Sequence, residues 1–185
     1  MDIAQFPTEV TKALAWPFDF DIRGIPLNRI WFAVVPAIDM VPIASDGTGG
    51  IFARLNDCGD IPYVDSEGSG GVIALNLDAL ILLFVCHPYW KDILTFSGGG
   101  KLAEMRRTLP FAERDHYGAA PGARKLGALI RGRLGLPHTT DLVDILHPSV
   151  SSSQDRSTLI APDGSRLGSL FNTFTVCRNP GWRKV

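Results

Sequence analysis

Three groups of side chains in this chain have types and spacings that could do chemistry. The first is Ser66 and Ser69 with His87 and Asp60, the parts of a nucleophile activated by an imidazole and a carboxylate. No Gly-x-Ser-x-Gly elbow surrounds either serine. His87 stands where an apolar helix should end, a place where an imidazole also serves as a C-terminal cation or a capped core residue. The second is Asp141, Asp144 and His147, spaced i, i+3 and i+6, with His138 nearby. Carboxylates and imidazoles on one helix face can hold a metal. The plainer account is a solvated face opposite Leu142, Val143, Ile145 and Leu146, acidic at its start and cationic at its end. The third is a pair of glycine-rich turns, Asp46-Gly-Thr-Gly-Gly and Gly68-Ser-Gly-Gly. Their N–H groups could cradle a phosphate, but neither matches a P-loop or dinucleotide fingerprint and no Lys-Ser/Thr pair follows. Hairpin turns need glycine in any case. The expectation is therefore no catalytic residue, no metal and no cofactor.

Charge carries more information. Between Asp39 and Asp78, seven acids (Asp39, Asp46, Asp57, Asp60, Asp65, Glu67, Asp78) stand against one base, Arg54. Between Lys101 and Arg133, eight bases stand against Glu104, Glu113 and Asp115. The basic run has only Phe111 and Tyr117 interleaved and matches no nucleic-acid module, so direct nucleic-acid binding is not expected. The acids lie mostly on turns, where Asp bonds local backbone. Gathered on one surface, Asp46, Asp57, Asp60, Asp65 and Glu67 would make a negative platform that steers a basic partner. Tyr89 and Trp90 are of the type that anchors protein interfaces. They are equally suited to a core.

The elements that must position these residues follow from periodicity. Thr8 to Trp16 reads as a helix with Val10, Ala13 and Leu14 on one face, stopped by Pro17. Phe18 to Ile22 alternates apolar and acidic residues, the pattern of a strand. Arg29 to Val35, Met40 to Ala44, Ile51 to Leu55, Ile61 to Val64 and Val72 to Leu75 read as further strands. Pro42 places the Met40 strand at an edge or start. Short turns between the later strands require antiparallel hairpins. Asn76 should cap a buried helix from Leu77, and Pro88 should open a second one to Phe96. Beyond Gly98-Gly99-Gly100, helices are expected over Lys101 to Thr108, stopped before Pro110, and over Gly122 to Leu134. Thr140 caps a short helix from Asp141 to Leu146, stopped by Pro148. Ser149 to Ser153 reads as a linker, and Thr158 to Ala161 with Arg166 to Val176 as a hairpin with a long second strand.

A chain of 185 residues can bury a sizeable core, and its net charge of −1 creates no field favouring nucleic acid or membrane. The three cysteines, Cys58, Cys86 and Cys177, are odd in number and widely spaced, which suits a reducing compartment. Cys86 should be a small core residue. The longest apolar run, Ala79 to Cys86, is far short of the roughly 20 residues that span a bilayer. No basic leader opens the chain. The expectation is a soluble, cytoplasmic protein.

From Pro42-Ile-Ala-Ser-Asp-Gly-Thr-Gly-Gly50 through Ile51 to Leu55, Gly59-Asp-Ile-Pro-Tyr-Val64, Ser66-Glu-Gly68 and the helix through Phe84 to Trp90, the chain resembles the SUKH superfamily. That group takes in fungal glucan-synthesis regulators of Smi/Knr type and many bacterial immunity proteins. The residues after Gly100 lie outside the match. The resemblance implies an α+β fold, with a central, mostly antiparallel sheet flanked by helices. Residues 1–185 would form one domain, with a core over 18–100 and a helical extension with a C-terminal β-hairpin over 101–185. It also implies a non-enzymatic antitoxin that occludes a cognate toxin, such as a nuclease. The partner-binding residues would then be Asp46, Asp57, Asp60, Asp65, Glu67, Tyr89 and Trp90. Two alternatives stay open. One is a hydrolase of a phosphorylated substrate, which needs a pocket gathering His87, Ser66 and Asp60. The other is a regulatory interaction domain, which an exposed apolar patch without acid would favour.

Overall fold

The computed structural model describes residues 2–23, 30–137 and 141–182. Helix α1 (Thr8–Ala15) and strand β1 (Ala33–Val35) precede four strands: β2 (Met40–Ser45), β3 (Ile51–Leu55), β4 (Ile61–Val64) and β5 (Ser69–Ala74). Consecutive members of the four pair antiparallel, as their short turns require. Helices α2 (Leu77–Cys86), α3 (Trp90–Thr95), α4 (Leu102–Ala119), α5 (Ala123–Leu134) and α6 (Leu142–Arg156) follow, then β6 (Thr158–Ile160) and β7 (Gly168–Ser169). The sheet order is β2-β3-β4-β5-β7, with β7 parallel to β5, and β1 pairs with β6 in a separate ribbon. The fold is α+β, with a mostly antiparallel sheet flanked by helices. Among the described residues, no helix is long and apolar enough to cross a membrane.

Alternation along the strands gives the sheet two buried faces. Phe52, Ile61, Tyr63 and Ile73 join the helices in the main core, while Ile51, Ala53, Leu55 and Val64 pack under Phe32, Val34 and Leu159 of the ribbon region. Helix α2 is buried nearly all round. Asn76 caps it, its side chain accepting a hydrogen bond from the Ala79 N–H at 2.8 Å. Pro42 sits on edge strand β2 beside a register shift, where a missing N–H costs no ladder bond.

Several sequence expectations are corrected. Phe18 to Ile22 forms no strand: its one sheet contact is a bridge between Asp21 and Ser45. The helix expected to stop before Pro110 runs through it to Ala119. The Thr108 hydroxyl donates to the Phe96 and Glu104 carbonyls just before the proline, and beyond it Phe111 stacks on Trp182 while Ala112 is buried. These anchors outweigh the one backbone bond that proline removes. Pro148 is likewise internal to α6, and the serine run is helical rather than a linker. Leu146 and Val150 on either side of Pro148 are buried, and the Ser149 hydroxyl donates back to the Ile145 carbonyl at 3.0 Å. The C-terminal hairpin closes at a bridge between Ile160 and Arg166. Its second strand is then only Gly168–Ser169, which leaves β6 to join β5. Arg29, His138 and the Thr140 cap lie outside the described residues.

Helix α5 approaches the backbone of α2 closely. A Cβ on Gly127 would lie 2.3 Å from the Val85 carbonyl oxygen. Gly132, on the same helix, has open space where its Cβ would be. Gly127→Ala is therefore expected to destabilise the protein by about 1–3 kcal/mol through overpacking. Gly132→Ala should stabilise it by about 0.5–1 kcal/mol through helix propensity. Urea unfolding of the two variants checks the pair, and equal midpoints would remove the argument for a tight α2–α5 contact.

Candidate functional site

Asp46 opens the β2–β3 turn, yet it points inward and is 7% exposed. One carboxylate oxygen accepts from the Thr48 N–H and hydroxyl, each at 2.9 Å, and from the Gly50 N–H at 2.7 Å. The other accepts from the Tyr63 hydroxyl at 2.6 Å and the Lys91 ammonium at 2.7 Å. Burial alone would raise its pKa, but the Lys91 and Tyr63 hydrogen bonds outweigh burial and hold it at about 2. Burial first, then the Asp46 bond, pushes Tyr63 far above the ordinary phenol range. Lys91 also reaches Asp19 at 2.9 Å. Asp19, at φ 56°, accepts from the Gly47 N–H at 2.7 Å. The N–H groups of Gly47, Thr48 and Gly50 are thus committed to the chain's own carboxylates. Those of Glu67 and Ser69 go to Asp65 at 2.9 and 2.8 Å. Neither turn offers a phosphate cradle.

The expected acidic platform is not assembled. In an antiparallel meander successive turns fall at opposite ends of the sheet. The Asp46 and Asp65–Glu67 turns share one end, where a Cβ on Gly49 would lie 3.8 Å from the Ser66 Cβ. Asp57 and Asp60 lie on the turn at the other end, near Asp39, whose carbonyl accepts from the Asn56 N–H. Asp46 and Asp60 are buried besides. Tyr89 and Trp90, expected as partly exposed anchors, are core residues at 5% and 2% exposure. The break between α2 and α3 turns Trp90 inward onto Tyr63, Phe84 and Phe52, with ring centroids 5.2, 5.8 and 6.3 Å away.

The other candidate groups also separate. Asp60 and Ser66 flank opposite ends of β4, and neither lines the hollow that holds His87. Asp144 pairs with Arg106 at 2.9 Å and His147 bonds the Gly100 carbonyl at 3.0 Å. No cluster of three metal-ligating side chains occurs among the described residues. Arg106, Arg107, Arg114 and Arg124 of the basic run each pair with an acid. Cys86 is half-buried and packs against the main core.

A feature that sequence reasoning passed over is the surface between α1 and the α4–α5 turn. Trp16, directly after α1, is 78% exposed. It lines a groove of about 420 Å³ with Pro17, Pro121, Leu126 and Leu129, the last 47% exposed. The groove is apolar, with Lys125 its one charged lining residue. Helix α5 carries Arg124, Lys125, Arg131 and Arg133 and no acid, and Lys12 sits in the last turn of α1. The sequence did hold a signal. The buried stripe Val10, Ala13, Leu14 continues to position 17, which leaves Trp16 off the core-facing side.

Asp46 sets an acid limit on stability. Its folded pKa of about 2 lies below the ordinary 3.8, so its contribution is fully present above about pH 4 and is lost as pH falls through 2. The contribution is about 2 kcal/mol. Asp46→Asn should cost about that much at pH 7 and flatten the fall in urea midpoint between pH 4 and 2. An unchanged acid profile in the variant would contradict the assignment.

Compared with known family models, curated proteins and solved structures, the chain matches none.

Proposed function

We propose that this chain is a non-enzymatic protein-interaction module whose partner docks on the Trp16 groove. The observation that carries the reading is a tryptophan left almost wholly in water beside an exposed leucine, two prolines and no lining acid. Trp anchors a large share of measured interface hot spots, because its wide surface desolvates with little loss of side-chain freedom. The basic helix beside it favours a partner that offers an apolar anchor flanked by acids. The SUKH resemblance of residues 42–90 supports a toxin as that partner and an immunity role for the chain. The acidic turns, divided between two ends of the sheet, take no part in this contact. The contact moves from the acidic turns to the surface between α1 and α5, which is apolar and basic.

The experiment is binding of the purified chain to toxins encoded beside its gene. Trp16→Ala and Leu129→Glu should each weaken the complex by about 2 kcal/mol or more, roughly thirtyfold in Kd, with thermal stability unchanged. Glu67→Ala should leave binding as it was. Loss of binding in Glu67→Ala with none in Trp16→Ala would return the contact to the acidic turns. No binding to any neighbouring product would count against the immunity reading.

A further inference from the structure

Helix α5 also borders a hollow on its other flank. Opposite the Trp16 groove, its residues Arg124, Ala128 and Arg131 face the end of α2 and the middle of α4 across a hollow of about 300 Å³. Arg124 is already satisfied there. It bonds Glu113 at 3.0 Å, and its guanidinium lies 4.2 Å from the Tyr117 ring centroid. That pair is electrically neutral. Arg131 stands two helical turns further on along the same face, half-buried, and no carboxylate of the described residues pairs with it. The hollow therefore presents one uncompensated guanidinium. Val85, Leu109, Tyr89 and Tyr117 give the hollow apolar and aromatic surface, and His87 and Glu113 also line it. The two tyrosine rings meet edge to face with centroids 6.2 Å apart. Both phenols are neutral hydroxyls near pH 7, and burial raises their pKa further.

We propose that this hollow binds a small carboxylate with an apolar or aromatic body, its carboxylate on Arg131 and its body against Tyr117, Tyr89 and Leu109. A planar guanidinium matches a carboxylate through two parallel N–H···O bonds. A dianion suits the site less well, because Glu113 stands beside a single uncompensated positive charge. A neutral isostere leaves Arg131 without an anion. The inference does not depend on the Trp16 groove, which uses the other flank of the helix, Lys125, Leu126 and Leu129.

The test is a titration of the full chain with benzoate, benzamide and inorganic phosphate, followed by amide chemical shifts. Benzoate should shift residues 85–89, 113–117 and 124–131 saturably. Benzamide should not, and phosphate should bind more weakly. Arg131→Gln should weaken benzoate by about tenfold or more. Arg131→Lys, which keeps the charge but loses the fork, should cause a smaller loss and serves if the first variant fails to fold. Lys125→Gln, across the helix, should leave benzoate binding unchanged. Non-saturating shifts, equal binding of benzamide, tighter binding of phosphate, or undiminished affinity in the foldable Arg131 variants would each overturn the proposal.

Discussion

One buried carboxylate sets the geometry from which the helical layer is hung. Asp46 ties together a turn, a neighbouring strand through Tyr63, and α3 through Lys91, and Lys91 passes the connection on to Asp19. A carboxylate removed from water is unfavourable unless its lone pairs are filled and its charge is matched. Five donors do this, and they come from three separate parts of the chain. The arrangement demands glycine at position 50, where a Cβ would lie 2.5 Å from both the Asp46 oxygen and the Tyr63 hydroxyl. With Lys91 held at the sheet end, the preceding residue has one place to go. Trp90 enters the cluster of Phe52, Tyr63 and Phe84, and α2 is fixed behind it.

That constraint also explains why an Asp-rich, Gly-rich turn is a poor guide to a surface. Composition reports how many charges a segment has, not which way they point. Asp46 and Asp65 each spend one carboxylate oxygen on the N–H groups of their own turns, the local role Asp has in turns generally. The division of the acids between two ends was implicit in the hairpin order, since an antiparallel meander must alternate its turns. The strands β3 and β4 and the capped helix α2 were legible to the residue, because short apolar segments between strong turn signals leave few alternatives. Trp90 was not legible. An aromatic after a helix end is core or surface according to a tertiary tie, here Lys91 to Asp46, separated by 45 residues in sequence.

Pro110 and Pro148 stand inside helices because packing around each one offsets the lost backbone bond. Pro110 and Pro148 each remove one backbone bond from the middle of a helix, and local rules end the helix there. Both prolines face solvent, while their neighbours Ala112, Leu146 and Val150 are buried. Burying a Val or Leu side chain is worth roughly 1.5–3 kcal/mol. That is comparable with the approximately 3 kcal/mol proline penalty, so Leu146 and Val150 are enough to carry α6 through Pro148, while at Pro110 buried Met105 and Ala112 and the Thr108 hydrogen bonds share the work. The serine run after Pro148 is helical for the same reason: Val150 holds it to the core.

Helix α5 is suited to carrying exposed recognition surface because it cannot easily move. Gly127 brings its backbone against the Val85 carbonyl, and Ala123 and Ile130 are buried on the same side. A surface that is rigid before binding loses little conformational freedom on binding, so more of the contact energy appears as affinity. Trp16 shares this advantage. It follows a helix whose Val10, Ala13 and Leu14 are locked in the core, and Pro17 restricts the chain directly after it. The exposed acids have the opposite character. Glu67 and Asp57 sit on turns, are open to water, and would gain only weak, salt-screened attraction from a partner. Area, rigidity and desolvation all favour the apolar groove over the charged turns as the surface on which the proposed partner would dock.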